Sequence, residues 1–204
     1  MIDATGLQEN LLHKGYSIGV ADGVIGPRTL AALAAYVAGR DLTTLLPIGK
    51  GMARYLPEFG LLDTAPRLAN FIGQTCHESG GYRFLREIWG PTPTQRRYEG
   101  RRDLGNTQAG DGKRYMGRGI LQITGRANYT EMAMRTGEPL VDQPELAERP
   151  DIAVLTACIF WRSRKINLAV DAGQEDKVTR IINGGTNGIE DRRELVAKAR
   201  GIIP

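Results

Sequence analysis

Two cysteines, two histidines and 6% aromatic residues are all that the 204 positions hold of those types. Two cysteines are too few to staple a disulfide scaffold, and Cys76 and Cys158 each lie in an apolar helical pattern, so both read as buried free thiols. With only His13 and His77, a protein-built zinc site is a poor reading. His77-Glu78 could open a metalloprotease motif, but that motif needs a second His one helical turn on, and position 81 is Gly. No metal and no cofactor are expected. Ser79 has no His-Asp pattern around it, so a serine nucleophile is a weak reading. No apolar run approaches the roughly 18 residues of a membrane span, so no stable membrane insertion is expected. Met1 to Thr5 shows no positive region leading into an apolar stretch, hence no signal peptide. The expectation is synthesis in the cytosol, with release by other means if the protein acts outside. There is no basic run or aromatic-basic interleaving of a nucleic-acid binder, no internal repeat and no low-complexity segment.

The rest of the composition is that of an ordinary soluble globular protein, 41% hydrophobic and 25% charged. The length suits one good core, or a core plus a small module. A net charge of +4 and a pI near 9.2 suit an acidic partner. Nucleic acid, an anionic membrane and a bacterial wall polymer all qualify, so charge alone does not choose. Monomer is the default oligomeric state.

Two carboxylates stand out. Asp63 or Thr64 can cap a helix that Pro66 opens; Leu68, Phe71, Ile72, Thr75 and Cys76 form its apolar stripe, and Gly80-Gly81 stops it. At roughly 100° per residue, Glu78 falls within about 20° of Phe71, on the margin of that stripe. A carboxyl against apolar surface is harder to ionise, which suits a general acid. Glu87, among Arg83, Arg86 and polar loop residues, has a setting that favours the charged form. Two carboxyls pushed apart in this way are equipment for breaking a glycosidic bond.

Residues 3–40 read as a compact unit. A short helix with Leu7, Leu11 and Leu12 ends near Lys14-Gly15. A tightly turned loop with Gly15, Gly19, Asp22-Gly23 and Gly26-Pro27 follows, and a second helix runs from about Arg28 to Val37. Residues 41–50 read as a connector broken by Pro47, Gly49 and Gly51, followed by a short helix over 52–59. From Tyr82 to Met116 the chain is irregular, polar and rich in Pro, Gly and Arg, which is often functional in a compact domain. Here Trp89 and Tyr98 offer flat faces to sugar rings. Alternation over 120–124 predicts an edge strand or extended loop, with Gln122 and Thr124 on one side, placed to hold a water or a sugar amide. Residues 152–161 predict a strongly apolar helix at the centre of the core, with Phe160 and Trp161 as packing residues. Helices over 171–182 and from 189 or 190 to 199 close the chain. His77 and Arg118 read as structural partners, the latter in an ion pair.

Residues Leu7-Gln8, Gly15-Tyr16, Gly19, Asp22-Gly23, Gly26-Pro27, Thr29, Ala32 and Leu33 resemble the small peptidoglycan-binding module of many wall hydrolases, although its third helix is not evident. From about residue 50 onward, His77-Glu78-Ser79-Gly80-Gly81, the Gly112–Tyr129 segment and Ile181-Ile182-Asn183-Gly184-Gly185 resemble the family 19 glycoside hydrolases. That family includes plant-type chitinases and phage endolysins. The short stretch between Glu78 and Glu87, and Gly110-Asp111-Gly112, are similar to the endolysin branch. The resemblance implies a mainly α, lysozyme-like two-lobed domain over 46–204 behind a helical module over 1–45. It also implies inverting attack on a β-1,4 bond beside an N-acetyl sugar in bacterial peptidoglycan, with release to the wall through a holin-type pore. By the same resemblance, Glu78 is the general acid, Glu87 the general base and Thr124 the hydroxyl that holds the water. Tyr98, with its flat face, and Tyr115, Gln122, Asn183 and Arg192 are expected to contact substrate. Glu99 competes with Glu87 for the second carboxylate. A chitinase and a non-catalytic wall-binding protein are the alternative readings.

Overall fold

A computed structural model describes the whole chain, residues 1–204. Eleven helices and two 3-10 turns account for its regular structure, and the only β pairing is a pair of isolated bridges, Arg86 to Arg118 and Arg118 to Ile123. The chain is mainly α. No helix is long and apolar enough to cross a membrane.

α1 (Ala4–His13) starts on the Asp3 carboxylate, which accepts the Gly6 N–H at 2.9 Å. The loop after it is fastened to α1 by Gln8, whose Nε2 donates to Asp22 Oδ1 (2.8 Å) and Val24 O (3.0 Å) while Gly23 N donates to Gln8 Oε1 (2.8 Å). Pro27 opens α2 (Pro27–Ala38) and Gly39, left-handed at φ 62°, closes it. Every residue from Leu30 to Ala35 is buried. A helix apolar on all sides belongs inside a core, and α2 lies among α1, α3, α4 and α11.

The expected connector over 41–50 is instead the first part of α3 (Leu42–Tyr55), which runs straight through Pro47. The glycines that looked like breakers are points of close helix approach. A Cβ on Gly49 would sit 2.3 Å from Pro27 O in α2, and one on Gly51 would sit 3.1 Å from Asp151 Cα in α8 (Pro150–Ser163). Burial between two helices outweighs the poor propensity of this stretch. The expected boundary after residue 45 therefore falls inside a helix. Residues of α1 and α2 share one continuous apolar core with α4 and α8.

α4 (Ala65–Glu78) begins as expected, with Thr64 Oγ1 accepting the Arg67 N–H at 3.3 Å, and ends at Glu78. Trp161 of α8 is buried against Phe71 of α4, with ring centroids 5.3 Å apart. The single helix expected over 171–182 is two, α9 (Ile166–Asp171) and α10 (Glu175–Asn183), with Gly173 at φ 68° between them. α11 (Ile189–Arg200) packs along α4. The second lobe is the irregular segment after Tyr82, carrying the short α5 (Pro93–Arg96) and α6 (Asp111–Arg114) and leading into α7 (Arg126–Thr136). No strand forms over 120–124. Gln122 adopts φ 51°, so it and Thr124 do not alternate as in an extended chain.

Candidate active site

Glu78 is the last residue of α4, and its surroundings differ from the apolar wall expected. Its Oε1 accepts a short charge-assisted hydrogen bond from Arg192 Nη2 on α11. The Arg192 guanidinium is buried, and its Nη1 donates to Gln74 Oε1 at 2.7 Å. The apolar stripe of α4 does not decide the setting of Glu78, because the residue facing it comes from 114 positions further along the chain. Arg192 itself, expected to contact substrate, is 2% exposed and spent on Glu78, Gln74 and the Asn187 carbonyl. It holds Glu78, and its burial leaves almost no surface to offer a ligand. His77 Nδ1 is hydrogen-bonded to Asp191 Oδ2 and its ring lies against Gly188, the structural role expected for it.

Glu87 lies on the other support. Its N–H donates to Gly117 O (2.8 Å), and the Gly117 N–H donates to Glu87 Oε2 (3.1 Å). Gln95 Nε2 and the Tyr98 hydroxyl donate to Glu87 Oε1 at 3.0 and 3.4 Å. Burial and the adjacent Glu87 carboxylate push the Tyr98 phenol above its ordinary pKa. Gln95 was not foreseen, though Thr92-Pro93-Thr94-Gln95 is a legible capping box. The amide orientation follows from it. Gln95 Oε1 accepts from Thr92 N (2.7 Å) and Gly90 N (3.1 Å), which leaves its NH2 aimed at Glu87.

Around Gly117 the expected residues converge. A Cβ there would lie 2.5 Å from Gln122 Oε1, 3.3 Å from Thr124 Oγ1 and 3.4 Å from Glu87 Oε2. Gln122 pays for this with a left-handed backbone that its type rarely adopts, and its Nε2 donates to Gly119 O at 2.8 Å. Thr124 Oγ1 donates to Gln122 O at 3.0 Å, leaving its lone pairs open to accept. Gln122 and Thr124 also line a cleft of about 490 Å³ with Asn128 and Phe160. Carboxamide, hydroxyl and carboxylate thus approach Gly117 together, with Gln122 and Thr124 facing this cleft and Glu87 lining the neighbouring groove.

Glu99 is committed elsewhere, to the Gly110 N–H at 2.7 Å and the Gly112 N–H at 2.9 Å. Tyr115 is not a substrate contact. It is 1% exposed, and its hydroxyl donates to Val141 O at 3.1 Å with the Arg126 guanidinium over its ring. The tyrosine turns inward, against Tyr129 and the Val141 carbonyl. Asn183 is exposed at the end of α10, its Nδ2 donating to Asn187 O at 3.4 Å. Arg118 is ion-paired with Glu148 at 2.7 Å, and its Nη1 donates to the Tyr129 hydroxyl at 3.0 Å. Burial pushes the Tyr129 phenol up to about 12.

Residues 56–172 match the family model described as class I chitinase, glycoside hydrolase family 19. A family 19 domain-containing protein of Haemophilus influenzae is 32% identical over 154 residues, covering 62% of this chain and 75% of that protein. The acidic 27 kDa endochitinase of Solanum lycopersicum is 31% identical over 169 residues, covering 65% of this chain and 60% of that enzyme. In three dimensions the chain is similar to chitinase C from Streptomyces griseus, with a TM-score of 0.68 at 19% identity, covering 88% of this chain and 94% of the other. The fold is therefore the lysozyme-like helical one, and the enzyme is a glycoside hydrolase. The chain belongs to glycoside hydrolase family 19.

Proposed function

We propose that the protein hydrolyses β-1,4 glycosidic bonds of bacterial peptidoglycan as a phage-type, muramidase-like endolysin, made in the host cytoplasm and reaching the wall after holin-type release. Glu78 protonates the departing glycosidic oxygen. Glu87 takes a proton from water held by Thr124 and Gln122, and that water attacks the opposite face of the sugar, inverting the anomeric centre. The observation that carries this mechanism is the gathering of Glu87, Gln122 and Thr124 about Gly117. Such a mechanism requires the two carboxyls to stand roughly 6.5–9.5 Å apart in the substrate complex, so that water fits between. Support for the wall as substrate comes from the Gln8–Asp22 loop and its flanking helices, which resemble a wall-binding module. A second reading, hydrolysis of chitin, is favoured by the endochitinase relatives.

Sacculi and chitin oligomers are to be digested side by side by the wild type and by Glu78→Gln, Glu87→Gln and Glu99→Gln, with wall binding measured in parallel. Loss of a general acid or base should cost roughly 10²–10⁴ in rate, so Glu78→Gln and Glu87→Gln should lose lysis while still binding walls. Glu99→Gln should keep most of its activity, since Glu99 serves a loop. Sensitivity through Glu99 rather than Glu87 would move the base. A wild type that cuts only chitin would replace the wall reading with the chitinase one, and one that binds walls and cuts nothing would remove both.

A further inference from the structure

Residues 82–118, the segment that carries Glu87, hold nine Lys and Arg against four Asp and Glu, a net +5 in a chain whose total is +4. The helical body is close to neutral, and the basicity of the protein is concentrated beside its candidate base. Most of these cations are engaged. Arg118 is paired with Glu148, Arg101 with Asp103, and Arg114 donates to the carbonyls of Val141 and Asp142. Arg86 lies 3.8 Å from Glu148.

Arg83 and Lys113 are different. Both are exposed, neither forms an ion pair or a side-chain hydrogen bond, and both line one groove of about 770 Å³ with Arg86, Glu87, Glu148, Trp89 and the half-exposed Phe84, where three cations face two carboxylates. Solvated cations of this kind contribute almost nothing to folding. What they do is raise the local concentration of anions in a groove walled partly by apolar side chains. Chitin, a polymer of N-acetylglucosamine, bears no charge and gains nothing from them. A peptidoglycan strand bears peptides with free carboxylates on alternate sugars.

We propose that Arg83 and Lys113 determine specificity, receiving the stem-peptide carboxylates of the wall glycan while its sugar backbone lies along Glu87. This rests on the peptidoglycan reading above. It predicts binding energy from a part of the substrate remote from the scissile bond, so the effect should fall mainly on KM.

The test compares the wild type, the double variant Arg83→Ala/Lys113→Ala and the charge-keeping Arg83→Lys/Lys113→Arg. The substrates are native sacculi, sacculi whose carboxylates have been amidated with carbodiimide and ammonia, and chitin oligomers. Amidation should lower wild-type kcat/KM about tenfold, and the alanine variant should be down about tenfold on native sacculi, mainly through KM, with nothing further lost on amidation. The charge-keeping variant should recover most of the loss. Equal losses on native and amidated sacculi would make the two residues merely structural, and no loss on native sacculi would dismiss them; either result overturns the proposal while lysis by the wild type stands. A wild type that cuts chitin oligomers and neither kind of sacculus would overturn the peptidoglycan reading itself.

Discussion

At the scale of single residues, Gly117 is the position on which the proposed water site depends. Its bare Cα lets Gln122, Thr124 and Glu87 approach one another, and the nearest of them, Gln122 Oε1, is the end of a flexible side chain tethered by a single hydrogen bond, from its Nε2 to Gly119 O. Gly117→Ala should therefore cost little stability, under about 1 kcal/mol, because the carboxamide can swing aside. The displaced carboxamide and the extra methyl then crowd the nucleophile, and a misplacement of this size is expected to lower kcat by about a hundredfold. The check is kcat beside a denaturation curve. An alanine variant as active as the wild type would strip Gln122 and Thr124 of the water-holding role.

At the scale of elements, the seam between α4 and α11 holds Glu78, the proposed acid. Gly73 of α4 faces the Val196 backbone of α11, and a Cβ there would meet Val196 N at 2.7 Å and Cγ2 at 2.5 Å. Backbone has nowhere to go, so Gly73→Ala should part the two helices at a cost of about 1–3 kcal/mol. Arg192 rides on α11, so the same substitution should loosen its hold on Glu78 and reduce turnover as well as the urea midpoint. Lost stability with full turnover would show that the seam does not position the acid. On the other lobe, α6 is anchored by buried Asp111, which the Arg126 guanidinium holds below the usual aspartate range, with help from the Gln108 N–H. A depressed carboxylate stabilises fully above its unfolded pKa of about 3.9 and loses that contribution as pH falls through the folded value. Asp111→Asn should thus be less stable than the wild type at neutral pH, and the gap should close below about pH 4. Melting curves taken across pH 2–7 decide it; a gap that persists into acid would assign the effect to packing instead.

At the scale of the whole molecule, the first 45 residues are stitched into the body. α2 is buried from Leu30 to Ala35, Lys198 Nζ of α11 donates to Val37 O at 3.1 Å, and Asn10 Nδ2 of α1 donates to Ile202 O at 3.0 Å. A chain starting at residue 46 would bare the faces of α3, α4 and α11 that α2 covers. It should unfold without a cooperative transition, as followed by helical circular dichroism in urea. A cooperative transition in that fragment would mean that the body stands without its first helices.

The amino-acid sequence by itself determined what rests on local chemistry. The caps and apolar period of α4, the wholly apolar stretch of α2, the Gly80-Gly81 stop and the adjacent motif were all legible because each depends on neighbours within a few residues. Gln95 was legible too, in its capping box, and was passed over. Contacts between distant positions were decided only by the tertiary structure. Pro47, Gly49 and Gly51 read as punctuation because propensity cannot see α2 and α8 closing on them. Glu78 read as a carboxyl against an apolar wall because its true neighbour, Arg192, is 114 residues away. Glu99 competed with Glu87 in the sequence, and the structure gives the two different backbone amides: Gly117 beside Thr124 for Glu87, Gly110 and Gly112 for Glu99. A residue type and its spacing state what chemistry is possible, but the partner that holds the group arrives with the fold.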